Sequence, residues 1–231
     1  MTRPRLAALG AAWGLNDGQV AALGRFVELL ATDPLAPTAV RDVEQSLDVH
    51  LADSLSGLDV AALRSAESAV DVGSGAGLPG LPLAVALPWC EMVLLESQRR
   101  RCDFLERAVA ASGAERARVV CARAEDWHAG IGRADAATAR ALAPQPVVLE
   151  WAAPLLRVGG VLVDWRGARR ADEERRAGAA AAELGFGAAE VRRVAPFAGA
   201  RDHHLHVFTK LAPTPERFPR RAGVARKRPL G

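Results

Sequence analysis

The segment from Val70 to Leu83, V-D-V-G-S-G-A-G-L-P-G-L-P-L, constrains the fold more than any other part of the chain. A short apolar run carries an acid, Asp71, and then breaks into glycines before a second apolar segment begins at Pro79. This order predicts a buried strand, a tight turn and a helix with proline in its first turn. Because glycine has no Cβ and tolerates positive φ, such a turn lets the backbone approach a ligand at the helix N-terminus.

The spacing of these glycines favours one class of ligand. Gly73, Gly75 and Gly77 follow G-x-G-x-G, whereas a dinucleotide site needs G-x-G-x-x-G. The run from Gly75 to Gly80 does fit the dinucleotide pattern, but it begins after the strand has already turned. A strand acid followed by G-x-G-x-G is instead typical of methyltransferases that bind S-adenosylmethionine.

From Val70 onward, apolar strand patterns alternate with helical ones, which predicts a mostly parallel sheet covered on both faces. The fold class expected is α/β: a Rossmann-like, seven-stranded sheet with an N-terminal helical addition. We predict helical residues 1–66 packed on the core, a methyltransferase domain over 67–211 and a basic C-terminal arm over 212–231. The predicted strands are 69–72, 91–96, 117–121, 135–139, 159–165 and a closing pair at 188–195 and 203–210. The predicted helices of the core are 79–87, 98–112, 145–155 and 169–184. Before the core, one helix is marked by apolar residues from Leu23 to Leu30, and a second is expected from about Asp42 through Leu55.

Composition and charge further limit the class of protein and its possible partners. Half of the 231 residues are hydrophobic and a quarter are charged, as in ordinary globular proteins. Residues 201–231 hold eight Lys or Arg against two Asp or Glu, although the whole chain carries only +3. The segment 211–231 also has four prolines, which predicts an extended arm. Its cations are either a solvated surface or a contact to RNA phosphates. The candidate RNA-binding residues are Arg217, Arg220, Arg221, Arg226, Lys227 and Arg228.

The three cysteines, Cys90, Cys102 and Cys121, are far apart and odd in number. They fit neither a disulfide framework nor a zinc site, so a reducing cytoplasm is the simplest interpretation. Cys121 is expected to be a small residue at a buried strand end. The first residues mimic a signal peptide only faintly, and no apolar run approaches membrane-spanning length, so we expect no membrane association.

Strand ends supply further candidate ligands for the cofactor. Glu96 ends the second predicted strand, about twenty residues past the glycine turn, where an acid can accept hydrogen bonds from both ribose hydroxyls. The third strand ends near Cys121 and leads into A-R-A-E-D, where a backbone amide and a carboxylate could bind the adenine edge.

Two groups of histidines could suggest a functional site but also have ordinary structural explanations. His203, His204 and His206 look metal-like, but the last two alternate with apolar residues as on the exposed face of a strand, so no metal is expected. His50 and Asp53 are three apart on one helix face and are expected to form a local hydrogen-bonded pair.

Several segments together resemble the bacterial RsmG (GidB) family. They are the glycine segment, H-L-A-D-S-L at 50–55, A-R-A-E-D at 122–126, T-A-R-A-L-A at 138–143 and the ending E-R-F-P-R-R-A-G-V-A-R-K-R-P-L. The resemblance runs from about residue 20 to the C-terminus in the same order. It implies S-adenosylmethionine-dependent methylation of guanine N7 in the decoding region of 16S ribosomal RNA, on the free RNA or the small subunit, in the cytoplasm and with no obligate protein partner.

The resemblance also assigns roles. It implies that Gly73 and Leu78 line the methionine and sulfonium end of the cofactor, that Glu96 holds the ribose and that Ala124 and Glu125 contact the adenine. Arg140, in T-A-R-A, is expected beside the methyl donor, in a positioning role and in contact with RNA. The candidate cofactor-binding residues are Asp71, Gly73, Gly75, Gly77, Leu78, Glu96, Ser97, Gln98, Ala124, Glu125 and Arg140.

Absent motifs agree with N7 chemistry. The lone pair of guanine N7 carries no proton, so methyl transfer needs alignment rather than a strong base. Methylation of an exocyclic amine commonly uses N-P-P-Y or D-P-P-Y, and the chain has no tyrosine. A cysteine loop for C5 methylation is also lacking. The alternatives are a methyltransferase for another RNA site, an NAD-dependent oxidoreductase and a non-catalytic RNA-binding factor.

Overall fold

The computed structural model describes residues 2–231, apart from the side chain of Thr2. The N-terminal part is helical: α1 (Thr2–Ala12), α2 (Asp17–Thr32), α3 (Val43–Ser46), a π-helix (Leu47–Ala52), α4 (Asp53–Leu55), a 3-10 turn (Ser56–Asp59) and α5 (Ala61–Arg64). Asn16 begins α2 with a reciprocal capping box to Gln19. The apolar face of α2, marked in sequence by Leu23 and Phe26, is buried. This face packs α2 against α6 and α7 of the core.

The segment expected as one helix from Asp42 to Leu55 is instead broken into α3, the π-helix and α4. Asp42 does begin it, since its side chain accepts a hydrogen bond from the Gln45 N–H at 2.7 Å. Apolar spacing alone does not distinguish an α-helix from a π-helix. The extra residue in each π-turn rotates the side chains that follow, which determines where His50 and Asp53 lie.

The core alternates strands and helices in the predicted order. The strands are β1 (Ser68–Val72), β2 (Glu91–Glu96), β3 (Ala117–Cys121), β4 (Ala134–Arg140), β5 (Leu156–Arg166), β6 (Glu190–Val194) and β7 (His203–Thr209). The helices are α6 (Gly80–Ala86), α7 (Arg99–Ser112), α8 (Gln145–Ala152), α9 (Ala171–Glu183) and α10 (Val224–Lys227), with 3-10 turns at Ala124–Asp126 and His128–Gly130.

The seven strands form one sheet in the order β3-β2-β1-β4-β5-β7-β6. Strands β1 to β5 pair in parallel, and β7 is antiparallel to both β5 and β6, as expected for a closing pair. The strand order reverses between β1 and β4, where ligands bind in sheets of this kind. The predicted α/β fold class is confirmed.

A separate hydrophobic cluster covers each face of the sheet. The N-terminal helices, α6 and α7 pack on one face, and α8 and α9 pack on the other. The second cluster also includes Phe218 and Ala225 from the C-terminal segment. That segment is therefore folded against the core, which differs from the extended arm expected from its prolines and charges.

In the part of the chain that the structure describes, no helix is both long and apolar enough to cross a membrane.

Candidate active site

A cavity of about 340 Å³ lies at the carboxyl ends of β1, β2 and β3. It is bounded below by the start of the glycine turn and at the sides by the segments that follow β2 and β3. The residues that line it are Val72, Gly73, Leu95, Glu96, Ser97, Gln98, Arg101, Ala122, Arg123, Ala124, Glu125, Leu142, Trp151, Gly223 and Arg226. Six of the eleven predicted cofactor residues thus line one cavity: Gly73 in the glycine turn, and five at the ends of β2 and β3.

The carboxylate of Glu96 is held rigidly at the end of β2, and only 3% of the residue is exposed. Its Oε1 accepts hydrogen bonds from the backbone N–H groups of Ser97 at 2.7 Å and Gln98 at 2.9 Å. Its Oε2 accepts from the N–H of Gly75 at 3.1 Å, across to the glycine turn. Oε1 is also 3.4 Å from the Ser97 hydroxyl, and Oε2 is 3.7 Å from the Arg101 guanidinium, so the acceptor position left for a ligand hydroxyl is on Oε2. Glu96 therefore both ties the turn to β2 and presents an acceptor to the cavity.

Asp71 lies beneath the glycine turn and does not line the cavity. Its Oδ1 accepts from the Thr138 hydroxyl at 2.8 Å, and its Oδ2 accepts from the Gly80 N–H at 3.2 Å at the start of α6. A Cβ at position 80 would come within 2.6 Å of the Asp71 Cβ, so glycine is required for this approach. The strand acid thus joins β1, β4 and α6 and shapes the turn from below.

The remaining predicted residues of the turn build it rather than line the cavity. Gly75 and Gly77 adopt φ of +57° and +86°, which favours glycine. Leu78 is 8% exposed and belongs to the core cluster with the N-terminal helices. Gly73, at φ +71°, is the turn glycine that faces the cavity, with Leu142 above it.

Burial raises the pKa of Asp71 to about 6, although its hydrogen bonds from Thr138, Ser74 and Gly80 oppose the shift. Because this pKa lies above the ordinary value of 3.8, the protonated form stabilises the fold. Asp71 makes its full contribution to the free energy of unfolding below about pH 3.8, and this contribution is lost as the pH rises through 6. The full contribution is roughly 3 kcal/mol, of which about half is lost between pH 5 and pH 7.5.

We expect Asp71→Asn to remove this pH dependence, because the amide does not titrate. Urea unfolding of both proteins at several pH values measures it. The free energy of unfolding of the wild type should fall by about 1–2 kcal/mol relative to the variant between pH 5 and pH 7.5. A difference between the two proteins that stays constant with pH would contradict a raised pKa at Asp71.

Ala124 and Glu125 form the far wall of the cavity, in the 3-10 turn after β3. Glu125 is 7% exposed, and its Oε1 accepts from the backbone N–H of Gly223 at 3.1 Å. The contribution of Gly223 was missed in the sequence, because the partners are 98 residues apart. Only knowledge that the C-terminal segment folds back could have indicated it.

Arg140 ends β4 and is not among the residues that line the cavity. Its Nη1 donates to Asp53 Oδ2 at 2.8 Å and to the carbonyl of Val49 at 3.2 Å. His203 Nδ1 lies 3.0 Å from the other carboxylate oxygen of Asp53, so this carboxylate bridges β4 and β7. The network joins the π-helix region to the carboxyl edge of the sheet, next to the cavity.

His50 and Asp53 do not form the local pair that their spacing suggested. His50 Nε2 lies 3.0 Å from the Thr38 hydroxyl, and Asp53 binds Arg140 and His203 instead. The prediction of a local pair assumed a regular α-helix, whereas His50 lies within the π-helix. Burial, with a smaller effect of the Arg140 charge, lowers the pKa of His50 to about 4, so its imidazole is neutral at neutral pH.

The histidines of β7 do not share one exposed face. His206 is 3% exposed, and burial lowers its pKa to about 4, which corrects the expectation of an exposed position. The Glu174 carboxylate of α9 interacts electrostatically with His206, so this face of β7 lies beside α9 rather than in solvent. His204 Nδ1 lies 3.0 Å from the carbonyl oxygen of Gly167. Within residues 2–231, no group of three His, Cys, Asp or Glu side chains could hold a metal ion.

Cys102 and Cys121 form a disulfide whose Cα atoms are 5.8 Å apart, contrary to the expectation that no cysteines pair. The sheet register places Cys121 opposite Glu96, and α7 begins three residues after Glu96. Parallel pairing therefore brings together two cysteines that are 19 residues apart in sequence. Cys121 is also exposed rather than buried, because β3 is the edge strand.

The predicted RNA-binding cations divide into two groups. Arg217 pairs with Glu183 at 3.0 Å, Arg220 binds the buried Glu150, and Arg226 stacks 5.1 Å above the Trp151 ring. The side chains of Arg221, Lys227 and Arg228 are exposed, and within residues 2–231 none of them forms an ion pair. The second group is the one that the fold leaves open to an external phosphate.

Comparison with known proteins identifies the family. Residues 19–203 match the model of the GidB family, described as rRNA small subunit methyltransferase G. The chain belongs to this family. It is 41% identical over 228 residues to the ribosomal RNA small subunit methyltransferase G of Rubrobacter xylanophilus, covering 95% of this chain and 87% of that protein. It is 39% identical to the protein of the same name from Symbiobacterium thermophilum, covering 84% and 82%.

Solved structures agree on the fold. An S-adenosylmethionine-dependent O-methyltransferase from Thermotoga maritima superposes with a TM-score of 0.59 at 16% identity, covering 78% of this chain and 74% of that one. At this identity the likeness concerns the fold alone, and it agrees with the α/β architecture described above.

Proposed function

We propose that this protein transfers the methyl group of S-adenosylmethionine to N7 of a guanine in the decoding region of 16S ribosomal RNA. As a member of the rRNA small subunit methyltransferase G family, it is an S-adenosylmethionine-dependent rRNA methyltransferase. The observation that carries the site assignment is the fixed Glu96 carboxylate beside Gly73 in a cavity at the carboxyl edge of β1 and β2.

The cofactor fits the residues present. Glu96 would hold the ribose, Ala124 and Glu125 would bind the adenine, and Gly73 would leave room for the methionine end. When bound, the cofactor supplies an electrophilic methyl group on its sulfonium. The chain holds the nucleoside in one orientation and narrows the approach to the methyl group, so that alignment supplies much of the rate enhancement.

The ionisable groups of the cavity are consistent with a nitrogen that carries no proton. Among the described lining residues they are two carboxylates and three guanidinium groups, namely Glu96, Glu125, Arg101, Arg123 and Arg226. Both carboxylates already accept backbone N–H bonds. No histidine, lysine or cysteine lies among these lining residues to serve as a base or nucleophile.

The RNA is proposed to contact Arg140 and the exposed cations of the C-terminal segment, Arg221, Lys227 and Arg228. Exposed arginines and lysines bind phosphates and make binding sensitive to salt. The substrate is the free 16S RNA or the small subunit, encountered in the cytoplasm, and we propose no obligate protein partner.

Mapping of N7-methylguanosine in 16S RNA tests the function. RNA from cells that lack this protein should have lost one such site, because the proposed activity is what methylates it. Wild-type protein should restore the site and Gly73→Glu should not. Identical maps with and without the protein, or labelled methyl groups on another atom of purified small subunits, would refute the N7 assignment.

A further inference from the structure

The C-terminal segment reaches the cofactor cavity, although its composition suggested a solvated surface or a contact to RNA. Two of its residues, Gly223 and Arg226, line the cavity with the segments after β2 and β3. They add to the lining a segment that the five parallel strands do not provide.

The segment is anchored by contacts that hold it in one place. Phe218 and Ala225 are 7% and 1% exposed and pack in the hydrophobic cluster with α8 and α9. Arg220 binds Glu150 through both of its carboxylate oxygens, and its Nη2 also donates to the carbonyl of Arg228 at 2.9 Å. The bond from Arg220 to the Arg228 carbonyl closes the segment into a loop around α10.

The loop presents two groups to the cavity. The N–H of Gly223 donates to Glu125, a carboxylate of the proposed adenine subsite, and so fixes its orientation. Gly223 adopts φ of +82°, a conformation that other residues enter only with strain. The guanidinium of Arg226 stacks on Trp151, and such a planar cation also stacks on aromatic bases.

We propose that residues 218–228 form a wall of the cofactor site, in which Gly223 positions Glu125 and Arg226 contributes to affinity for the nucleoside. This rests on the proposed function, since the ligand is S-adenosylmethionine or its product. The segment then has two roles: its exposed cations face RNA, and its inner side holds the cofactor.

Calorimetric titration of the full-length protein with S-adenosylhomocysteine, without RNA, tests the proposal. Arg226→Ala and Gly223→Ala should each weaken binding by about tenfold, the effect of losing one hydrogen bond or stacking contact to a charged group. A Cβ at position 223 meets no atom within 4 Å, so that variant changes only the backbone conformation.

Lys227→Ala is the matched control, because Lys227 is exposed on the same helix and does not line the cavity. It removes the same charge as Arg226→Ala and should leave the affinity for S-adenosylhomocysteine unchanged. Wild-type affinity in both test variants, or an equal loss in the control, overturns the proposed wall while leaving the methyltransferase assignment intact. A wild-type protein that binds no S-adenosylhomocysteine overturns both.

Discussion

Gly73→Glu is expected to abolish binding of S-adenosylhomocysteine, with no heat above background in a calorimetric titration. A Cβ at this position would lie 2.2 Å from Leu142 Cδ1, and the backbone adopts φ of +71°. The rest of the glutamate side chain would enter the cavity that Gly73 lines, next to the Glu96 carboxylate. The new charge would therefore occupy the ligand volume and repel the carboxylate of the methionine group. We expect the affinity to fall by more than about a hundredfold, since both space and charge oppose the ligand.

Gly132→Glu controls for backbone strain. Gly132 also has positive φ, at +66°, but a Cβ there meets no atom within 4 Å, and it lies before β4, at the opposite edge of the sheet. The same substitution there should leave the affinity unchanged. If Gly73→Glu retains wild-type affinity, or if both variants lose it equally, the site is not at this turn.

Arg220→Ala is expected to lower the free energy of unfolding by about 3–5 kcal/mol, because it leaves the buried charge of Glu150 without a partner. Glu150 is 1% exposed and lies within α8, and Arg220 supplies two N–H groups to its carboxylate. Urea denaturation followed by circular dichroism measures this loss. Arg221→Ala, a change of an exposed neighbour, should alter stability by less than about 0.5 kcal/mol.

The double variant Arg220→Ala with Glu150→Gln separates charge from packing. A neutral amide tolerates burial better than an unpaired carboxylate, so we expect the second substitution to recover part of the loss. If Arg220→Ala is as stable as the wild type, the segment is not anchored through this pair.

Deletion of 213–231 should destabilise the protein at least as much as Arg220→Ala. It should also weaken RNA binding and flatten its dependence on salt, since it removes six cations.

The glycine turn shows how far the sequence could be interpreted. Its three glycines and strand acid predicted the strand, the turn and the position of a nucleoside site at its edge. Asp71 was predicted to bind the cofactor, but in the structure it supports the turn from beneath. A carboxylate next to a glycine motif can take either role. The distinction depends on Thr138, 67 residues away, and on Gly80 coming close enough to donate.

The helix from Asp42 to Leu55 shows a second limit. Its apolar spacing predicted helix correctly but not its π-helical turns, so the partners of His50 and Asp53 were wrong. Asp53 binds His203 across 150 residues, and no local pattern contains that information. The closing strand pair had the same difficulty: its strands were predicted, but the burial of His206 depends on α9, which lies beside that face of β7.

The amino-acid order alone determined the succession of strands and helices, the glycine turn and the acid at the end of β2. These depend on hydrophobic period and backbone conformation, which act over a few residues. Only the tertiary structure decided that the basic C-terminal segment folds back onto α8 and reaches Glu125. The physical reason is that Glu150 and Arg220 satisfy each other's charge only after the sheet and α8 have brought their distant segments together.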